Sequence, residues 1–143
     1  MILSAESEFS VHQAITATAD SENVKDLGVP GTPYGAVAPL NQDIGKGTKI
    51  PVLFQVTEDF ATLTSLTISL ATGATTALGT VISSQTIPVA DLVAGKQVSL
   101  DFLPNDISER YLGAHYTVTG SNATAGKISA GITMGNQTNV TGA

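Results

Sequence analysis

The chain is expected to fold as an all-β domain, a two-sheet antiparallel sandwich of about eight strands with a jelly roll as the leading arrangement. Three observations carry this. Apolar side chains recur at every second residue in several stretches, no window of a dozen residues holds a helical stripe, and Gly, Asn, Asp and Pro clusters divide the stretches at short intervals.

Taken in chain order, residues 1–13 read as an N-terminal arm, with Ile2, Leu3, Phe9 and Val11 giving it more apolar side chain than a solvated tail carries. The sandwich is placed over residues 14–134. Ala14 to Ala19 and Asn23 to Leu27 are its weaker strands, rich in β-branched residues but irregular in alternation. Gly28 to Lys49 is a long loop with five Gly and three Pro in 22 residues. In Ile50 to Thr57, Ile50, Val52, Phe54 and Val56 share a face; in Thr64 to Thr72, Leu66, Ile68 and Leu70 do. Leu78 to Ile87 is a further weak strand, and Pro88 to Ala94 is the one helical candidate, with Gly95 as its stop. Alternation returns in Val98, Leu100 and Phe102, then in Leu112, Ala114, Tyr116 and Val118, and finally in Ile128, Ala130, Ile132 and Met134. Turns are expected at Ala19-Asp20-Ser21, Gly73 to Ala77, Pro104-Asn105-Asp106 and Gly120-Ser121-Asn122. Residues 135–143 form a C-terminal tail.

Composition limits the function. Ile, Leu, Val and Phe make up 38 of the 143 residues, enough for a core, whereas only 13% of residues are charged against an ordinary level of about 25%. Ala, Gly, Ser and Thr total 62, so the surface is small, neutral and weakly hydrated. A net charge of −6 with six scattered Lys and Arg argues against a nucleic acid partner, since phosphate contacts need clustered cations. No apolar stretch approaches the ~18 residues of a membrane span, and the two Glu without Lys or Arg in the first ten residues are wrong for a secretory signal. The absence of Cys excludes disulfides and thiolate metal sites.

Reaction chemistry is not displayed. His12 and His115 form no metal-spacing pair, and the His-x-His start of a cupin metal site is absent, so both read as ordinary surface or interface imidazoles. Glu58-Asp59 and the group Asp101, Asp106 and Glu109 are the densest carboxylates, yet they lack EF-hand spacing and read as solvated loop residues. The glycines of Gly45-Lys46-Gly47 precede no helix and cradle no phosphate. Asn-x-Thr triplets at Asn122, Asn136 and Asn139 are discounted as chance matches in a Thr-rich chain. No cofactor is expected.

Several stretches together resemble one family, the jelly-roll cement or decoration proteins on the heads of short-tailed bacteriophages. They are residues 9–16 (Phe9 to Thr16), Asn23 to Gly28, Pro51 to Thr57, Ile87 to Gly95, Arg110 to Gly113 leading into Tyr116 to Gly120, and Thr124 to Gly131. The resemblance implies a jelly roll, a homo-oligomer (dimer or trimer) and a place on the outer surface of a virion made in the cytoplasm of a bacterial host. Its expected partner is the phage major capsid protein, with no nucleic acid and no membrane.

The expected function is therefore non-enzymatic: a structural virion protein that decorates and cements a capsid by non-covalent bridging of shell subunits. A glue of many modest contacts gains from linkage, and Ala and Gly lose almost no side-chain entropy on burial. Ile2, Leu3, Phe9 and Val11 in the arm and Pro30, Pro33 and Tyr34 in the loop are the expected capsid or subunit contacts. Whether arm and loop cover the chain's own sheet edges or reach a neighbour stays open at this level, and removal of residues 1–13 is expected to leave the fold intact. The alternative is a carbohydrate-binding or host-adhesion module on the same sandwich, which usually wants exposed aromatics; this chain has no Trp and three Tyr.

Overall fold

A computed structural model describes residues 3–29, 31–37, 47–102, 107 and 109–133. It contains seven strands: β1 (Glu8–Ala14), β2 (Ala19–Asp20), β3 (Lys25–Asp26), β4 (Ile50–Gly73), β5 (Thr80–Pro88), β6 (Gln97–Phe102) and β7 (Tyr111–Ile132). A three-residue 3-10 turn, Val89–Asp91, follows β5. Every strand pairing is antiparallel.

Two of these strands are far longer than the usual five or six residues, because each passes through both layers of a sandwich. β4 and β7 lie side by side from Val52 opposite Ile132 to Gly73 opposite Tyr111, and their ladder slips four times between Val56 and Ser65. Such slips bend a strand pair. On one side of the bend, residues 50–55 of β4 pair with β6, and residues 127–131 of β7 pair with β1. On the other, residues 65–72 of β4 pair with β5, while the first residues of β7 pair with β2 and β3. Counting eight segments along the chain, with β2 and β3 as one and β4 and β7 as two each, the sheets run 1-8-3-6 and 2-7-4-5. That is the strand order of a jelly roll, as expected of the eight-stranded sandwich.

Alternation explains which faces meet. Val52, Phe54 and Val56 from the first sheet and Leu66, Ile68 and Leu70 from the second are buried in one core with Leu112, Ala114, Tyr116, Ile128 and Ala130. The Phe54 and Tyr116 rings meet edge to face across the layers, with centroids 6.4 Å apart and planes at 87°. Tyr116 also supplies a polar thread through this core. Ser10 Oγ donates to Gln13 Oε1 at 2.6 Å, which leaves the Tyr116 hydroxyl to donate to Ser10 Oγ at 2.8 Å. Gln13 Nε2 in turn donates to the Asp20 carbonyl at 2.9 Å, and Gln13 Oε1 accepts the Glu22 N–H at 3.1 Å. Burial pushes the Tyr116 phenol well above its ordinary pKa and keeps it a donor.

Several sequence expectations are revised. The arm expected over residues 1–13 ends at Ser7, because Glu8 onward forms β1 against the end of β7, with Phe9 wholly buried. The strand expected over Ala14 to Ala19 is instead a bend that pins residues 15 and 16 to β7: the Ile15 N–H donates to the Gly126 carbonyl and the Ala123 N–H to the Thr16 carbonyl. Ala19 and Asp20, expected in a turn, form β2. Gly120-Ser121-Asn122 does not reverse the chain; it lies where β7 bends between layers. Of the helical candidate only Val89–Asp91 is helical, since Leu92 turns inward to full burial and its carbonyl accepts the Phe60 N–H. Met134, the tail 135–143 and the Pro104-Asn105-Asp106 turn lie outside the described residues.

Candidate interaction surface

The long loop leaves β3 through a rigid base. Arg110 grips Asp26 with both ends of its guanidinium, Nε to Oδ1 at 2.7 Å and Nη2 to Oδ2 at 2.5 Å, and stacks over Tyr111 at 5.0 Å. The Leu27 N–H donates to the Arg110 carbonyl, and the Gly28 N–H donates to Asp26 Oδ1 at 2.8 Å. The paired Arg110 side chain and the Gly28 amide hold the Asp26 carboxyl down at about 2. A carboxyl depressed in the folded state stabilises the fold above its unfolded value of 3.8 and loses that contribution as pH falls through about 2. The tie is thus expected to persist at mild acidity and release only near that value, which an NMR titration of the Asp26 carboxyl and the Gly28 amide would follow; a midpoint near 3.8 would show that the tie does not form.

Beyond the base the loop turns outward. The Ala36 N–H donates to the Pro33 carbonyl at 3.0 Å, closing a four-residue turn with Gly35 at φ +84° in its third place. That is the geometry of a type II turn, which takes Gly there and Pro near its start. Tyr34 occupies the second place and is fully exposed, as is Val37, while Val29 is 72% exposed. Fully exposed large apolar side chains on a turn stand out on a surface otherwise rich in Ser and Thr.

The β1 residues fall elsewhere. Opposite Ser129, β1 carries two residues, Val11 and His12, between the pairs Ser10–Ala130 and Gln13–Ile128. His12 adopts φ +49° and its N–H donates to Ser129 Oγ at 3.0 Å. This bulge turns Val11 out of the core to 46% exposure. It borders a shallow groove of about 500 Å³ on the outer face of the first sheet, lined by Leu3, Glu8, Val11, His12, Gln55, Thr57 and Ser129. Leu3 folds back over this sheet, its Cδ2 3.3 Å from where a Cβ on Gly131 would stand, beside the outward yet buried Leu53.

The expected contact residues therefore divide. Pro33 and Tyr34 stand on the exposed turn, Val11 and Leu3 line the groove, and Phe9 belongs to the core and offers no surface. Ile2 and Pro30 lie outside the described residues. Sequence reasoning passed over Val29 and Val37, which were visible only as apolar residues in a Gly- and Pro-rich segment. β1 and β3 edge the two sheets on one flank, joined where the Asn23 N–H donates to the Phe9 carbonyl at 2.9 Å.

Most of the polar groups considered for chemistry are used locally; Glu58 and Asp59, expected in a loop, lie in β4, and Glu109, expected to be solvated, has its Oε2 buried with no hydrogen-bond partner among the described residues. His115 Nδ1 lies 2.6 Å from Asp20 Oδ1 and fastens β2 to β7. Glu58 pairs with Lys127 at 2.6 Å, and Asp59 accepts the Ala94 N–H at 2.6 Å. Among the described residues no three of His, Cys, Asp and Glu converge as metal ligands would. Asp106 lies outside them.

A family model described as Bbp16 matches residues 9–132, from the second residue of β1 to the last of β7. The chain belongs to the Bbp16 family. The Bbp16 match takes in the sandwich and the long loop and leaves out the first eight residues and the tail. No curated protein matches the chain.

Proposed function

We propose that this chain is a structural virion protein that sits on the outer surface of a phage capsid and cements it by non-covalent bridging of major capsid protein subunits, working as a homo-oligomer. The observation that carries this reading is the turn at Pro33 to Ala36: an apolar tip of Tyr34 and Val37, set out from a jelly roll by a base locked through Asp26 and Arg110. Its resemblance to cement proteins of short-tailed phage heads points the same way. Tyr is a favoured anchor residue of interfaces because it buries a large area at small entropic cost. A rigid base reduces the ordering cost of each contact, and repetition over a shell multiplies modest affinities.

Two measurements test this. Quantitative mass spectrometry of purified particles should find this chain in numbers comparable to the shell protein; a handful of copies per particle would replace cement with host adhesion. On particles stripped of the protein and titrated with it, Tyr34→Ala should weaken rebinding by about tenfold or more, the effect of losing one interfacial anchor. Rebinding equal to that of the natural chain would remove the turn from the contact.

A further inference from the structure

The groove on the outer face of the first sheet has no part in the contacts assigned to the Tyr34 turn, and its lining is chemically lopsided. Leu3 and Val11 supply apolar wall, while Gln55, Thr57 and Ser129 supply uncharged oxygens. Its carboxylate is Glu8, half-buried in β1 and paired with no cation among the described residues. Lys127, two residues before Ser129 in β7, is already held by Glu58 at 2.6 Å. Asp101, in the same outward phase of β6 as the Ser99 opposite Leu53, is negative as well.

Two further features gather at this groove. The bulge sets both Val11 and His12 along it, where a regular strand would set one residue, and it holds His12 at φ +49°, a conformation that residues other than glycine seldom adopt. Thr57 Oγ1 is buried with no hydrogen-bond partner among the described residues. Folded proteins keep few such hydroxyls, because water lost from one must be replaced by something. Thr57 belongs to the groove wall, so one step about its Cα–Cβ bond offers the hydroxyl to an occupant.

We propose that this groove seats an arginine side chain of a protein partner, its aliphatic stem against Leu3 and Val11 and its guanidinium on the Glu8 carboxylate and the oxygens of Gln55, Thr57 and Ser129. Charge decides for a cation: the carboxylate in the groove lacks a partner, and the whole chain, at −6, draws positive groups toward it. The spread of oxygens decides for arginine over lysine. A guanidinium carries five N–H donors in one plane and no acceptor, so it can meet several oxygens at once, and it gives up water more readily than a compact ammonium. Its stem packs on apolar wall while the head stays among polar groups, and interfaces are enriched in arginine. The inference deepens the reading above, on which it rests only for the source of the arginine, a shell subunit.

The test titrates the isotope-labelled full chain with Nα-acetyl-arginine amide at constant ionic strength and about pH 8, where an ordinary imidazole is neutral. The backbone amides of Val11, His12, Gln55 and Ser129 should shift together and saturate in the millimolar range. Nα-acetyl-citrulline amide, which keeps the shape without the charge, and Nα-acetyl-lysine amide should each bind about threefold or more weakly. Glu8→Gln should weaken the arginine probe by a similar factor while circular dichroism stays that of the folded sandwich, and on stripped particles it should rebind less tightly than the natural chain. Absence of a saturable shift in the natural chain, equal binding of either control probe, or unchanged rebinding of Glu8→Gln each overturns the proposal. Glu8→Gln leaves Tyr34 in place and the copy count needs no variant, so a failure here is distinguishable from a failure of the cement reading.

Discussion

A chain that begins at Ala14 is expected to lose cooperative unfolding altogether, whereas one that begins at Glu8 keeps it. The longer truncation removes Phe9, which is wholly buried, and Ser10, which links Tyr116 to Gln13. Losing a buried Phe costs about 3–5 kcal/mol. The ladder from Glu8–Gly131 to Ala14–Lys127 goes with it and turns an interior segment of β7 into an open edge. Against a total stability of roughly 5–15 kcal/mol, that leaves no well-populated native state. The shorter truncation removes Leu3 and its turn from the outer face over Gly131 and Leu53 and, at the end of β7, only the Ser7 carbonyl that accepts the Ile132 N–H. Urea titration followed by circular dichroism separates the two, and a sharp transition in the chain beginning at Ala14 would show that β1 is an accessory to the sandwich.

Gly126→Ala should be nearly as damaging, through a single methyl group. At φ +131° Gly126 occupies backbone space that L residues avoid, and an added Cβ would stand 2.3 Å from the buried Phe60 ring. Backbone strain costs about 1–3 kcal/mol, and forcing extra volume beside a packed ring costs a further 1–3 or so. The midpoint of urea unfolding is therefore expected to fall by the equivalent of about 3 kcal/mol or more. Gly31→Ala is the matched control: among the described residues its Cβ meets nothing within 4 Å, and it should stay within about 0.5 kcal/mol of the natural chain. An equal midpoint for both variants would mean that β7 can bend without this glycine.

These two sites show where the sequence was and was not readable. Both halves of β4 and of β7 stood out because Val52, Phe54 and Val56, Leu66, Ile68 and Leu70, Tyr116 and Val118, and Ile128 and Ala130 keep one phase of alternation, which is local information. The joins between the halves were misread. Gly and Asn at 120–122 carry the same residue preferences whether a chain reverses or only bends, and the choice is made by β4 running alongside, which is a non-local fact. β1 was hidden for a related reason: the bulge at Val11 and His12 breaks the alternation that starts at Glu8 and Phe9. In the loop, Tyr34 was legible as an aromatic residue among Gly and Pro, but whether Val29 and Val37 are covered depends on what lies above them in space. The edge position of β5 could not be read at all, since strand order comes from pairings tens of residues apart.

The long β4–β7 pair also determines how the protein opens. In a sandwich whose layers are separate strands joined by loops, one layer can fray while the other holds its amide protons. Here the same two strands run through both, paired on either side of the bend, so a fluctuation that parts them in one layer pulls on the other. Hydrogen exchange in the two layers should then be governed by a shared opening of the whole domain, leaving the short strands at the margins to exchange on their own.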